Sequence, residues 1–126
     1  MDKKVKIGII CCNYTNLAGR EDYALLPFDV IEKRVACGGF ITTVDIIKMF
    51  EEGASGVLVA VCKECHNKEG NIRGAKKADE AAEVLKGMPG FGGRVEKVFV
   101  SRQSTNEFIE AVLRFYDKLK EMEERQ

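Results

Sequence analysis

The stretch GVLVAVC (residues 56–62) decides the fold, because it is apolar from end to end. A half-buried strand alternates apolar and polar residues, whereas a continuous apolar run of this length is typical of a central strand in a parallel sheet, covered on both faces. The chain continues as KECHN, so this strand runs directly into a Cys-x-x-Cys-His motif at residues 62–66. The motif therefore has to be interpreted together with the fold that carries it.

Strand and helix patterns alternate on both sides of this run. The sequence predicts three further strands, over 5–12, 30–37 and 94–101. It predicts three helices, over 42–53, 72–87 and 104–122, and residues 13–28 hold turn formers and are compatible with a short helix before Pro27. This alternation indicates an α/β fold, a small flavodoxin-like or Rossmann-like three-layer domain with a four-stranded parallel sheet. One domain is expected to span residues 1–126.

Two of the helices carry start signals that can be read directly. Thr42 with Asp45, and Ser104 with Glu107, have the spacing of a capping box, and Gly53 is a stop signal. The apolar positions of the last helix recur at helical spacing and predict its buried stripe: Phe108, Val112, Phe115, Leu119 and Met122.

Composition excludes several classes of protein. The chain has 126 residues, 45% of them hydrophobic and 32% charged, and its 20 basic residues balance 20 acidic ones. A neutral chain of this kind argues against binding to nucleic acid or to a membrane surface. No apolar run approaches the roughly 18 residues of a transmembrane helix, and the first ten residues do not resemble a secretion signal. A cytoplasmic protein is expected. In the cytoplasm, five cysteines in a chain of this size favour metal ligation or redox chemistry over disulfides.

The cysteines fall at the ends of predicted strands. Cys12 ends the first strand, Cys37 the second and Cys62 the third, and Cys65 follows shortly after. In a parallel sheet all these ends lie on one edge, with neighbouring strands ~4.8 Å apart, so their thiols are expected to reach a shared small site. Cys11 and Cys12 leave opposite faces of their strand. We expect Cys12 to be the ligand and Cys11 to be a packed core thiol.

Four kinds of site match Cys-x-x-Cys-His. Haem attachment is excluded, since the chain has one histidine, His66, and no export signal is expected. In a thioredoxin-type dithiol site the cysteine pair would lie at the N-terminus of a helix. Such a site would also leave Cys12 and Cys37 without a role. Structural zinc is the second choice among metals, because its ligands normally come as two closely spaced pairs. An iron–sulfur cluster fits four thiolates converging on one edge: Cys12, Cys37, Cys62 and Cys65.

Neighbouring residues are assigned supporting roles at this site. The backbones of Gly38, Gly39 and Gly70 are expected to donate hydrogen bonds to inorganic sulfides, with a plain turn as the alternative for Gly38-Gly39. Asn13 is expected to shape the adjoining loop. His66 is expected in the second shell, where it would donate a hydrogen bond or move a proton; a solvated loop histidine is the alternative. The sequence offers no nucleophile–base pair, no paired carboxylates and no phosphate loop, which indicates a protein that carries electrons rather than one that catalyses bond formation.

Four segments resemble a known family, the delta subunit of methyl-viologen-reducing hydrogenase: CNY (12–14), VAC (35–37), EGASGVLVAVC (52–62) and CHNKEGN (65–71). The resemblance implies a small iron–sulfur subunit with a [2Fe–2S] cluster. It also implies electron transfer between a partner oxidoreductase and a heterodisulfide reductase A-like flavoprotein. The partner classes so implied are hydrogenase, formate dehydrogenase and methylene-tetrahydrofolate reductase.

The chain departs from the family pattern in two places. Where the family has Cys-Asn-Trp-Cys, this sequence has Cys12-Asn13-Tyr14-Thr15, so one cysteine is replaced and Cys11 is additional. The family spaces its later cysteine pair more widely than Cys62 and Cys65 are spaced here. Two alternatives to the electron-transfer subunit therefore stay open: a zinc-binding or cluster-less scaffold subunit, and a stand-alone dithiol oxidoreductase.

Overall fold

Parallel strands and helices alternate along the described part of the chain. The computed structural model describes residues 5–12, 26–35, 41–62, 70–88, 91–100 and 105–124. The strands are β1 (Lys6–Cys12), β2 (Asp29–Val35), β3 (Gly56–Cys62) and β4 (Val95–Val100). The helices are α1 (Thr43–Glu51), α2 (Gly70–Lys86) and α3 (Thr105–Glu124). All strand pairs are parallel and the order is β2-β1-β3-β4. The predicted α/β fold with a four-stranded parallel sheet is confirmed.

The two central strands are buried on both faces. On one face Ile7, Ile9 and Leu58 pack against α3. On the other face Ile10 and Val59 join a second cluster with residues of α1 and α2. Each strand contributes alternate residues to the two clusters, so neither face of β3 is left for polar side chains. This is the physical reason why GVLVAVC contains no polar alternation.

Helix α3 covers its face of the sheet with the predicted stripe. Four of the five expected residues are buried and Met122 is half-buried: Phe108, Val112, Phe115, Leu119 and Met122. The ring of Tyr116 extends the contact by stacking on Phe28, with ring centroids 4.8 Å apart. The predicted cap residue Ser104 lies outside the described residues, as does most of the segment 13–28.

Helix α1 begins with the predicted capping box. The Asp45 backbone N–H donates to Thr42 Oγ1 at 3.1 Å, and the Thr42 N–H donates to Asp45 Oδ2 at 3.2 Å. Lys33 Nζ of β2 lies 2.7 Å from Asp45 Oδ1, which ties the edge strand to the helix start. Burial raises the pKa of Asp45, but the hydrogen bonds from Lys33 and Thr42 outweigh it and hold that pKa below its ordinary value of 3.8. Gly53 follows the helix with a φ of +104°, a conformation that favours glycine.

The observed boundaries differ slightly from the predicted ones. Strand β2 lies at an edge of the sheet and is described as far as Val35, so the last two residues predicted for it, 36 and 37, lie outside the described residues. Helix α2 begins at Gly70, whereas the sequence predicts a start at residue 72, because a first turn needs no buried side chain and leaves no apolar pattern. Arg94, predicted as the first residue of β4, precedes it and is only 5% exposed. Its Nη1 donates to Ser55 O and to Glu123 Oε1, both at 2.9 Å, which joins three segments at the amino edge of the sheet.

Among the helices in the described ranges, none combines the length and the apolar character needed to cross a bilayer.

Gly56 provides a test of the packing between β3 and α3. A Cβ atom on Gly56 would lie 2.7 Å from Leu119 Cδ1 and 2.8 Å from Phe115 Cζ. We expect Gly56→Ala to lower the free energy of unfolding by about 1–3 kcal/mol, because the buried helix must shift to accommodate it. The matched control is Gly87→Ala, whose Cβ would meet nothing nearer than Val84 O at 3.7 Å. Equal stability of the two variants in urea unfolding would contradict the close packing.

Asp45 provides a test of the α1 cap. Because its pKa is lower in the folded protein, the carboxylate stabilises the fold above the unfolded-chain pKa, and this contribution is lost as the pH falls through the folded pKa. We expect Asp45→Asn to lower the free energy of unfolding by about 1 kcal/mol at neutral pH. The difference in the free energy of unfolding between this variant and the parent protein should become smaller below pH 3.8.

Asp79→Asn is the control for this experiment, measured by urea unfolding over the same pH series. It removes the ion pair between Asp79 and Lys97, whose side chains are 60% and 40% exposed respectively. That loss should cost less than about 0.5 kcal/mol, since exposed ion pairs contribute little. A pH-independent deficit in Asp45→Asn would show that the carboxylate charge has no part in the cap.

Candidate metal centre

Two of the expected cysteine ligands end neighbouring central strands. Cys12 is the last residue of β1 and Cys62 the last residue of β3. The register pairs Cys11 with Ala60, so Cys12 lies beside Val61, one position before Cys62. A strand spacing of ~4.8 Å and a rise of ~3.3 Å place the two cysteine backbones about 6 Å apart. The fold therefore brings this pair together, although fifty residues of sequence separate them.

The pair lies where the direction of the chain through the sheet reverses. Strand β2 is added on one side of β1, and the chain then crosses over to place β3 on the other side. In open α/β sheets the crevice at such a switch point, outside the carboxyl ends of the strands, is where ligands bind. The order β2-β1-β3-β4 is the flavodoxin-like order, whose switch point is between β1 and β3. Cys12 and Cys62 thus flank the general ligand-binding position of this architecture.

The remaining expected ligands are outside the described residues. Cys37 follows Val35, the last residue of β2, which is in register with Cys12. Cys37 itself, Cys65, His66, Asn13 and Gly38 are not described, nor are the side chains of Cys12 and Cys62. Within the described residues no three potential ligands form a metal-binding group. The four-cysteine ligand set therefore stays a prediction.

Cys11 has the position expected of a core thiol. It is fully buried, and it belongs to the cluster that includes Ala60, Phe108 and Val112 on the α3 face. The alternation along β1 sends Cys11 to this face together with Ile9. Its predicted burial is confirmed.

Two apolar side chains near this edge were not singled out by the sequence patterns. Ile72, in the first turn of α2, is 59% exposed, and Phe99, near the end of β4, is 37% exposed. The only signal in the sequence was an isoleucine among polar residues, ahead of the buried alanine stripe of its helix. From the sequence alone, an apolar residue of this kind is expected to belong to the core.

The fold and the cysteine positions define a class: a small flavodoxin-like α/β domain with cysteines at its topological switch point. The chain belongs to the FlpD family, the methyl-viologen-reducing hydrogenase delta subunits, whose family model matches residues 7–123. The resemblance noted in the sequence is thus confirmed over nearly the whole chain.

Three relatives come from Methanococcus voltae and Methanosarcina mazei. The chain is 32% identical over 130 residues to the iron–sulfur D subunit of the vhu F420-non-reducing hydrogenase of Methanococcus voltae, with 97% of this chain and 95% of that protein covered. It is 29% identical over 123 residues to the corresponding vhc iron–sulfur protein of the same organism, covering 93% and 85%. It is also 28% identical over 98 residues to the A subunit of the ferredoxin:CoB-CoM heterodisulfide reductase of Methanosarcina mazei, covering 76% of this chain but 12% of that protein.

Thiol labelling tests the placement of Cys11. In the native protein, we expect Cys11 to react with iodoacetamide at least about tenfold more slowly than in the guanidinium-unfolded chain, because labelling requires opening of the core. The measurement is peptide mass spectrometry after a timed pulse of reagent. Cys11 labelling at the unfolded-chain rate in the native protein would rule out a packed thiol at this position.

Proposed function

We propose that this protein is an electron-transfer subunit that carries a [2Fe–2S] cluster ligated by Cys12, Cys37, Cys62 and Cys65. The observation that carries the proposal is the pairing of Cys12 and Cys62 at the ends of adjacent central strands, at the switch point of the sheet. Two cysteines whose backbones lie about 6 Å apart at the edge of a sheet can both contribute ligands to a single small inorganic centre.

The chemistry of the donor set supports iron and sulfide over harder metals. Cysteine thiolates are soft ligands, which suit zinc and iron–sulfur clusters and do not suit Mg²⁺ or Ca²⁺. The names of the Methanococcus voltae relatives describe those proteins as iron–sulfur subunits. A bound cluster would supply reversible one-electron transfer. In this proposal the cysteines hold it, the Gly38 backbone donates to its sulfides, and His66 and Asn13 complete its surroundings.

The proposed partners follow from the relatives. Two of them are hydrogenase subunits, and the third similarity covers a stretch within the A subunit of a heterodisulfide reductase. A domain related to this chain is thus contained in that longer polypeptide. This supports a role beside a heterodisulfide reductase A-like flavoprotein, with electrons exchanged with a hydrogenase. A formate dehydrogenase or methylene-tetrahydrofolate reductase-type partner is proposed on the family resemblance alone.

The test is a metal analysis of protein purified without oxygen. We expect iron and acid-labile sulfide in near-equal amounts, about two of each per chain, with visible absorption that bleaches on reduction. Electron paramagnetic resonance of the reduced sample should show a cluster with one unpaired electron. Cys37→Ser should lose most of the iron and the absorption, because a hydroxyl is a poor substitute for a thiolate at iron.

Cys11→Ala is the matched control, since it removes a cysteine next to Cys12 that is buried in the core. It should keep the iron and absorption of the parent protein while losing some stability. Colourless protein with one zinc per chain would instead support the scaffold function. Metal-free protein with reversible oxidation between Cys62 and Cys65 would support a dithiol oxidoreductase.

A further inference from the structure

One ion pair shows the height at which α2 lies beside the sheet. Asp79 Oδ2 of α2 lies 2.6 Å from Lys97 Nζ of β4, and Lys97 is in register with Val59 of β3. From Val59 to Cys62 the strand rises about 10 Å. From Asp79 towards the N-terminus of α2, the seven residues to Ile72 cover about 10 Å, and they lead towards the same edge of the sheet as the end of β3. Ile72 therefore stands level with the end of β3, at the rim where Cys62 lies.

Ile72 and Phe99 lie on the same side of this corner. Residues seven apart share one side of a helix, so Ile72 lies on the β4 side, as Asp79 does. Residues two apart share one face of a strand, so Phe99 lies on the α2 face, as Lys97 does. Phe99 is in register with Val61, one position before Cys62. The result is an exposed apolar pair beside the end of β3, which we name the corner patch (Ile72 and Phe99).

Two cations lie next to the corner patch. Arg73 and Lys76 are exposed, and neither forms an ion pair within the described part of the chain. The first turn of α2 contains no acidic residue. Cations near a helix N-terminus oppose the macrodipole, so Arg73 does not favour the helix that carries it. Residues that are unfavourable for the local structure in this way tend to occur on surfaces that bind another molecule.

We propose that the corner patch with Arg73 and Lys76 is the docking surface for the redox partner protein, whose contact region presents an apolar anchor surrounded by carboxylates. An apolar centre with a charged rim is the usual arrangement of a protein–protein contact. Cations that form no ion pair among the described residues are suited to an acidic counterpart. This inference rests on the proposed electron-transfer function, since a partner seated here lies one strand away from Cys62. Electron-transfer complexes bury small contact areas, so a docking surface built from a few side chains is compatible with one.

Site-specific photo-crosslinking in the protein's own host tests the proposal. The tagged chain carries p-benzoylphenylalanine at Ile72, at Phe99 or, as control, at Val84. Val84 is also an exposed apolar residue of α2, about 18 Å further along the helix. We expect Ile72 and Phe99 to crosslink to one flavin- or metal-carrying protein, within a peptide rich in Asp and Glu, and Val84 to give no such product. Crosslinks only to a second copy of this chain, none at all, or equal products from Val84 would overturn the proposal.

A charge reversal separates docking from folding. Arg73→Glu places an acidic residue near the helix start and four residues before Lys77, so it should raise the midpoint of thermal unfolding by about 2 °C. The same variant should recover at least fivefold less partner protein from the host at equal expression. The control is Lys120→Glu, an exposed cation toward the far end of α3. Unchanged partner recovery by Arg73→Glu, or an equal loss in Lys120→Glu, would overturn the docking role.

Visible absorption distinguishes this proposal from the proposed function. Arg73→Glu should keep the iron and absorption of the parent protein, so loss of the partner with an intact cluster indicates failed docking. If the parent protein contains no cluster but Ile72 still crosslinks to an acidic partner surface, the docking surface stands while the electron-transfer function fails. If Arg73→Glu itself loses iron, the residue acts on the cluster and the docking assignment is wrong.

Discussion

The parallel pairing of β1 with β3 is the constraint on which the rest of the structure depends. Strands that pair in parallel need a crossover, and here the crossover carries the chain from β2 past β1 to the far side of the sheet. Both strands are then buried on both faces, which requires α3 on one face and α1 with α2 on the other. The same pairing brings Cys12 and Cys62 to one edge. The burial of the core and the approach of these two cysteines thus both depend on the pairing of β1 with β3.

The two adjacent cysteines at the end of β1 occupy different positions relative to the core. Cys11 is fully buried against α3, whereas Cys12 is the last position of the strand, where backbone pairing ends. A thiol inside a packed cluster serves as a small apolar side chain, but a thiol at a strand end can accept a metal. Of the two adjacent cysteines, only Cys12 is at the last described position of the strand, and it is the one proposed as a ligand. The position of Cys11 is therefore accounted for by packing.

Charged side chains play two different roles around the sheet. Lys33, Lys97 and Arg94 each connect a strand, or the residue before it, to a helix through an ion pair with a carboxylate. Arg73 and Lys76 make no such link within the described residues, and they stand next to an exposed apolar side chain of α2, Ile72. This contrast explains why the corner beside Cys62, rather than the charged edge strand β2, fits an interface with another protein.

Local sequence determined the elements, since periodicity and capping act over a few residues. The apolar run ending at Cys62, the Thr42–Asp45 capping box and the α3 stripe from Phe108 to Leu119 were all predictable, as was the convergence of strand ends at one edge. Strand order was decided only by the tertiary structure, because pairing joins residues as distant as Cys11 and Ala60, and no local pattern records it. The exposure of Ile72 and Phe99 also emerged only there, since burial depends on which element covers a residue rather than on its neighbours in sequence.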